Sequence, residues 1–225
     1  MAALPIKHLH DLEPRLHPVK LEAKLRIHNV SKVFEQKNQR VTALEDTHFD
    51  VREGEFVTIL GPSGCGKSTL LKIIAGLTEP SSGYVMLNNR RISGPGADRG
   101  MVFQAYTLFP WLTVEENIGF GLKLKGLSKA QRQEIVQHYL DLIGLSGFGS
   151  MYPNNLSGGM QQRVAIARAL ANDPDVLLMD EPFGALDAQT RTVMQELLLQ
   201  VWETSHKTIL FVTHDIDEAI FMGDR

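Results

Sequence analysis

A chain of 225 residues with a hydrophobic fraction of 43% can build one domain, or a core with a subdomain, around a sizeable apolar interior. A net charge of −3 argues against a broad polyanion-binding surface, and so against nucleic acid as a partner. The single cysteine, Cys65, excludes an internal disulfide and suits a reducing cytosol, and no apolar run approaches the ~18 residues of a membrane helix, so any membrane role is expected to come through a partner.

Residues 1–24 are expected to form a flexible leader. Their mix of His, Pro, Asp and Lys lacks the long apolar stretch of a secretory signal. His8, His10 and His17 lie there without the Cys or carboxylate neighbours of a metal site, so a solvated tail is the preferred reading. Residues 25–30 and 41–51 alternate apolar and polar, which suggests an antiparallel pair. Residues 55–60 read as a short buried strand and 69–75 as a helix. Ser81-Ser82-Gly83 is a turn before a short strand at 84–87. Residues 92–99 are loop-like, and 101–103 form another short strand.

From about Ala105 to Leu156 the character turns helical. Ser128-Lys129-Ala130-Gln131 is a capping box, Ile135, Leu140, Leu142 and Ile143 supply an apolar face, and Gly144 is placed to end the helix. This reads as a helical insertion in an α/β core. A further helix runs from about Gly159 to Asn172, stopped by Asp173-Pro174. The unbroken apolar run 176–179 reads as a buried parallel strand. A helix at about 187–203 and a strand at 208–212 follow.

The chemistry starts at Gly61-Pro62-Ser63-Gly64-Cys65-Gly66-Lys67-Ser68-Thr69, which fits the phosphate-binding pattern G-x-x-x-x-G-K-[ST] between a strand and a helix. Glycines let the backbone wrap a phosphate, and bare N–H groups at a helix start attract the anion. Lys67 adds a positive charge for the β- and γ-phosphates, and Ser68 offers a hydroxyl to Mg²⁺. Asp180-Glu181 ends the strand 176–179, where open parallel sheets place their ligands. Asp180 would hold Mg²⁺ opposite Ser68, and Glu181 would polarise an attacking water. Two acids after a strand otherwise read as a solvated turn, a reading the upstream loop disfavours. His214, after the strand 208–212, is placed to meet a γ-phosphate or to serve structure. Gln104 carries an amide suited to a metal-bound or attacking water. Leu156-Ser157-Gly158-Gly159 opens a second helix, with Ser157 as N-cap. It is either an ordinary cap or half of a phosphate site that completes another subunit's pocket.

In this order, these segments resemble an ATP-binding cassette (ABC) ATPase from about Lys24 to Arg225. Gly61 to Thr69 is similar to the Walker A motif, 176–181 to Walker B, and Leu156-Ser157-Gly158-Gly159 to the family signature. The signature is the specific part, since phosphate loops also occur in kinases, GTPases and helicases. Gln104 matches the Q-loop, Gly184-Ala185-Leu186-Asp187 the D-loop, and His214 the switch histidine. Phe34 stands where the family sets an aromatic ring against adenine, with core packing as the alternative.

The resemblance implies a P-loop NTPase core with a mainly parallel sheet, an antiparallel β subdomain and a helical subdomain at about 105–165. It implies ATP as ligand and Mg²⁺ held by Ser68, Gln104 and Asp180. It also implies a head-to-tail pair in which Ser157, Gly158, Gly159 and Asp187 complete the nucleotide pocket of the second copy. Expected partners are transmembrane permease subunits on the inner face of the cell membrane and, indirectly, a solute-binding protein, with no nucleic acid. The finer similarity is to the nitrate, sulfonate and taurine importer group, carried by Asp180 to Asp187, Leu156 to Met160 and Asp217-Glu218-Ala219-Ile220. Met160 departs from the glutamine usual in the wider family. The chain stops at Asp224-Arg225, where the family usually continues, so a shortened C-terminal end is expected. Two other readings are an ABC ATPase acting on nucleic acid or the ribosome, and a P-loop small-molecule kinase, which the signature opposes.

Overall fold

The computed structural model describes residues 23–36, 39–184 and 186–225. The three leader histidines and Ala185 lie outside the described residues. Two four-stranded sheets organise the chain. The first is antiparallel, ordered β2-β1-β4-β5, from β1 (Ala23–Gln36), β2 (Gln39–Arg52), β4 (Ser82–Leu87) and β5 (Arg90–Arg91). The second is parallel, ordered β3-β8-β7-β6, from β3 (Phe56–Leu60), β6 (Arg99–Val102), β7 (Val176–Asp180) and β8 (Thr208–Thr213). Ala23 and Lys24, counted above with the leader, already belong to β1.

Buried strands alternate their side chains between two cores. Val176 and Leu178 of β7, with Val57, Leu210 and Val212, face α1 (Lys67–Ile74) and the inner face of the antiparallel sheet. Leu177 and Met179, with Phe56, Ile209 and Phe211, face α4 (Gly158–Ala171), α5 (Ala188–Ser205) and Met222 of α6 (Ile216–Met222). Full burial of each such side chain stabilises by roughly 1.5–3 kcal/mol. That explains why β7 tolerates an apolar residue on both faces and carries its only charge at the end.

A third core joins α2 (Val114–Leu124), α3 (Lys129–Leu142) and the outer stripe of α4, through Ile118, Val136, Leu140, Val164 and Ala167. Helix α4 thus packs on both the sheet and the helical lobe. Both α2 and α3 begin with complete capping boxes, Thr113 with Glu116 and Ser128 with Gln131. Among the described residues no helix is long and apolar enough to cross a membrane.

Several boundaries differ from the sequence reading. Strands β1 and β2 are 14 residues each and accommodate register shifts, which blur the alternation. Strand β6 begins two residues earlier than expected because Arg99 and Gly100 pair with Val176 and Leu177. In α3 the inward side chains are Val136 and Leu140, with Ile135 only partly buried. Helices α2 and α6 were not resolved as separate elements from sequence. Replacing Thr113 by Ala should remove about 1 kcal/mol and lower the melting temperature by roughly 2–4 °C. Scanning calorimetry checks the drop, and ATP affinity should stay at the parent value.

Candidate functional site

The site is assembled at the carboxyl ends of the parallel strands. The loop after β3 turns through Gly64 at φ +83° and Gly66 at φ +101° before α1 begins. Gly66 caps α1 without any side-chain bond, and the helix ladder starts with the Leu70 N–H to Gly66 carbonyl bond of 2.9 Å. The N–H groups of Lys67, Ser68 and Thr69 precede that ladder, so they are free for an anion. A Cβ built on Gly64 meets nothing within 4 Å, so the rim of the loop is open. Lys67 is buried, and its ammonium donates to the carbonyls of Gly61 (2.8 Å) and Pro62 (2.9 Å). Cys65 is exposed on the same loop.

Across the loop, Ser68 Oγ donates to Asp180 Oδ1 at 2.8 Å. Burial holds the Asp180 carboxyl above its ordinary range, against the lowering effect of the Ser68 bond, and the neighbouring Glu181 charge pushes it further up. Two hard oxygen donors this close fit Mg²⁺, which takes one or two protein ligands beside substrate phosphates.

Glu181 adopts φ +44°, a left-handed conformation unusual for a residue with a side chain. Its N–H is tied to the Val212 carbonyl at 3.0 Å. Three side chains from distant parts of the chain converge on its carboxylate. Gln104 Nε2 donates to Oε2 at 3.3 Å, His214 Nδ1 lies 3.1 Å from the same oxygen, and Lys67 Nζ stands 3.9 Å from Oε1. Gln104 reaches it from a bend two residues past β6 rather than from the strand end. His214 follows β8 directly.

The remaining residues occupy other surfaces. Phe34 is 41% exposed, with the Lys32 ammonium 5.1 Å from its ring centroid. It pairs with Val41 across the β1–β2 ribbon, and Ala43, two residues further along β2, touches the phosphate loop at Gly66. Ser157 caps α4 by accepting the Met160 N–H at 3.3 Å. A Cβ on Gly158 would stand 2.6 Å from the Tyr106 hydroxyl, and one on Gly159 would stand 2.9 Å from Thr190 Cγ2. These neighbours lie outside the phosphate loop, so one chain leaves the second helix start apart from the first. Asp187 caps α5 through Thr190 N–H at 3.0 Å, a bond that lowers its carboxyl below the ordinary value. Sequence reasoning missed the Arg191–Asp215 pair (3.5 Å), which braces the end of β8 against α5. The Asp215 cap three residues before Glu218 was the available signal.

A phosphate loop, an Asp-Glu strand end and a parallel sheet with a helical insertion define a P-loop NTPase. The profile of the ABC transporter family matches residues 44–184, and the chain belongs to that family. An uncharacterized ABC transporter ATP-binding protein of Methanocaldococcus jannaschii is 55% identical over 206 residues, covering 92% of this chain and 77% of that protein. The nitrate import ATP-binding protein of Synechocystis sp. is 53% identical, covering 89% and 76% respectively. The taurine import ATP-binding protein of Roseobacter denitrificans is also 53% identical, covering 89% and 75%. Among solved structures, a dimeric ATP-binding cassette in a post-hydrolysis state with ADP and Pi superposes with a TM-score of 0.81 at 39% identity, covering 88% of this chain and 91% of that one. The protein is an ABC ATPase.

Glu181→Gln should retain ATP binding and lose hydrolysis by roughly 10²–10⁴-fold, measured as phosphate release against calorimetric affinity. Asp180→Asn should raise the apo melting temperature at pH 7. The sign follows from the raised carboxyl. Ionisation costs more in the fold than in the unfolded chain, so the native protein loses stability as pH climbs from 3.8, the ordinary value, through the folded value. The gain from Asn should therefore vanish below that ordinary value.

Proposed function

We propose that this chain energises uptake of a small anion such as nitrate, a sulfonate or taurine through a membrane permease, and that it works as a head-to-tail pair. The observation that carries the hydrolytic part is the convergence of Gln104, His214 and Lys67 on Glu181 beside the Ser68–Asp180 pair. The relatives named for nitrate and taurine import, and a sulfonate import ATP-binding protein of Bacillus cereus at 52% identity, support the importer assignment.

In this reading the α1 N-terminus and Lys67 receive the β- and γ-phosphates, and Phe34 offers its exposed face to the adenine. Glu181 takes a proton from the attacking water. His214 orients the carboxylate from Nδ1 and is near enough to the site to sense the γ-phosphate. Gln104 sits between this carboxylate and the helical lobe, where a water or metal would be reported to the lobe. Ser68 and Asp180, with Gln104, would hold Mg²⁺, which supplies charge neutralisation at the transferring phosphate. Ser157, Gly158 and Gly159 of one copy, with Asp187, would close over the nucleotide of the other. Dimeric cassettes among the solved relatives support that pairing.

The permease side is supported by a groove of about 560 Å³ lined by Phe103, Phe109, Phe120, Leu124 and Arg168. Asn117 fixes its wall. Fully buried, it accepts the Phe109 N–H and donates to the carbonyls of Phe109, Leu112 and Thr113. Trp111 is 70% exposed beside it. The protein would thus sit on the inner face of the cell membrane, held by its permease. A solute-binding protein would select the cargo on the opposite side.

The test is the solution mass of the Glu181→Gln protein by size-exclusion light scattering. ATP should convert monomer to dimer, and a persistent monomer that still binds ATP would remove the paired site. Alkylation of exposed Cys65 should block turnover, and MgATP should slow the labelling; equal labelling rates with and without nucleotide would contradict the placement of phosphate on this loop.

A further inference from the structure

Gln162 lies one turn into α4 and is completely buried. Neither its amide nitrogen nor its amide oxygen has a hydrogen-bond partner among the described residues. A buried amide unpaired at both ends is costly, and native proteins leave few of them. Its position shows what it faces. Gly159, three residues earlier, lies against α5 and the loop before it, where a Cβ would stand 2.9 Å from Thr190 Cγ2 and 3.6 Å from Leu186 Cδ2. Ile166, four residues later, belongs to the core that contains Phe183 and Leu186. Positions 159, 162 and 166 share one face of a helix. Gln162 is therefore set beneath the segment that joins β7 to α5, with Glu181 at one end and Asp187 at the other. Arg191 already donates to the Leu186 carbonyl of this segment at 3.3 Å, so its backbone is held by side chains from the adjoining helix.

Resting on the paired-cassette reading, we propose that Gln162 is a positioning residue for hydrolysis. Its amide has no partner among the described residues of this single-chain conformation, and it is taken up by the Phe183 N–H and by backbone carbonyls of residues 182–184 when ATP closes the pair. The penalty is then borne by the open form and relieved in the closed one, which biases the equilibrium toward closure. The same bonds fix the segment that carries Glu181, so the carboxylate is held over the water it activates. A purely packing role would need only the shape of the side chain.

The test is Gln162→Met, which keeps the length of the side chain and deletes the amide. The apo melting temperature should be equal or higher, and ATP affinity should stay within about twofold, because the amide touches no nucleotide. The turnover number should fall about tenfold with KM little changed, the pattern of an interaction made on the way to the transition state. In a Glu181→Gln background, the ATP concentration for half-dimerisation should rise by about the same factor. Parent-like turnover and dimerisation in Gln162→Met overturn the inference. A lowered melting temperature with a proportional loss of every activity also overturns it and assigns Gln162 to packing. If Glu181→Gln with the native Gln162 stays monomeric in ATP, the paired-cassette reading falls and takes this inference with it. If it dimerises and Gln162→Met leaves the midpoint unmoved, only the role of Gln162 falls.

Discussion

Between β2 and the phosphate loop there is no room for a side chain. The Ala43 carbonyl oxygen lies 2.3 Å from the place a Cβ would take on Gly66, and Gly66 itself stands at φ +101°. Any other residue there would meet both a backbone collision and a disfavoured conformation. The rest of the site follows from that contact. It lets the antiparallel lobe press against the start of α1, so the ribbon end that bears Phe34 is held beside the loop. It also leaves α1 with a backbone cap only, and the first N–H groups of the helix stay bare.

The same end of the parallel sheet gathers polar groups that the apo chain serves poorly. Asp180 is buried against its own ionisation, and Glu181 holds a left-handed backbone. Each has a local cost, and the two apolar cores above and below the sheet absorb it. Strain of this kind persists only where surrounding packing over-determines the geometry. Here β7 and β8 are buried along their whole lengths on either side of the residues concerned.

Much of this was legible in the sequence, for identifiable reasons. The phosphate loop announces itself because glycine positions and a lysine are demanded by the anion. β7 was visible because only a strand covered on both faces is apolar throughout. The α3 start was visible because its capping box is a local code. By contrast, α2 carries an equally good capping box at Thr113 and Glu116, but an aromatic and proline-containing stretch before it masks the periodicity. Strands β1 and β2 were underestimated because their bulges interrupt the alternation that betrays a strand. Gln104 and His214 were recognisable as candidates, but their meeting on Glu181 was not. It depends on the strand order β3-β8-β7-β6, which no local pattern encodes.

That strand order also governs how the protein comes into being on the ribosome. Among the described residues, β3, which leads into the phosphate loop, pairs only with β8, a neighbour synthesised about 150 residues later. At roughly 5–20 residues per second, β3 waits on the order of 7–30 s before its partner exists. During that interval Phe56, which ends in the interior, has neither Phe211 nor Trp202 to cover it. Early nascent chains would therefore present an open strand edge and a bare aromatic ring to the cell's chaperones. A nucleotide cannot help at that stage, because His214 and the sheet that aims Glu181 have not been made.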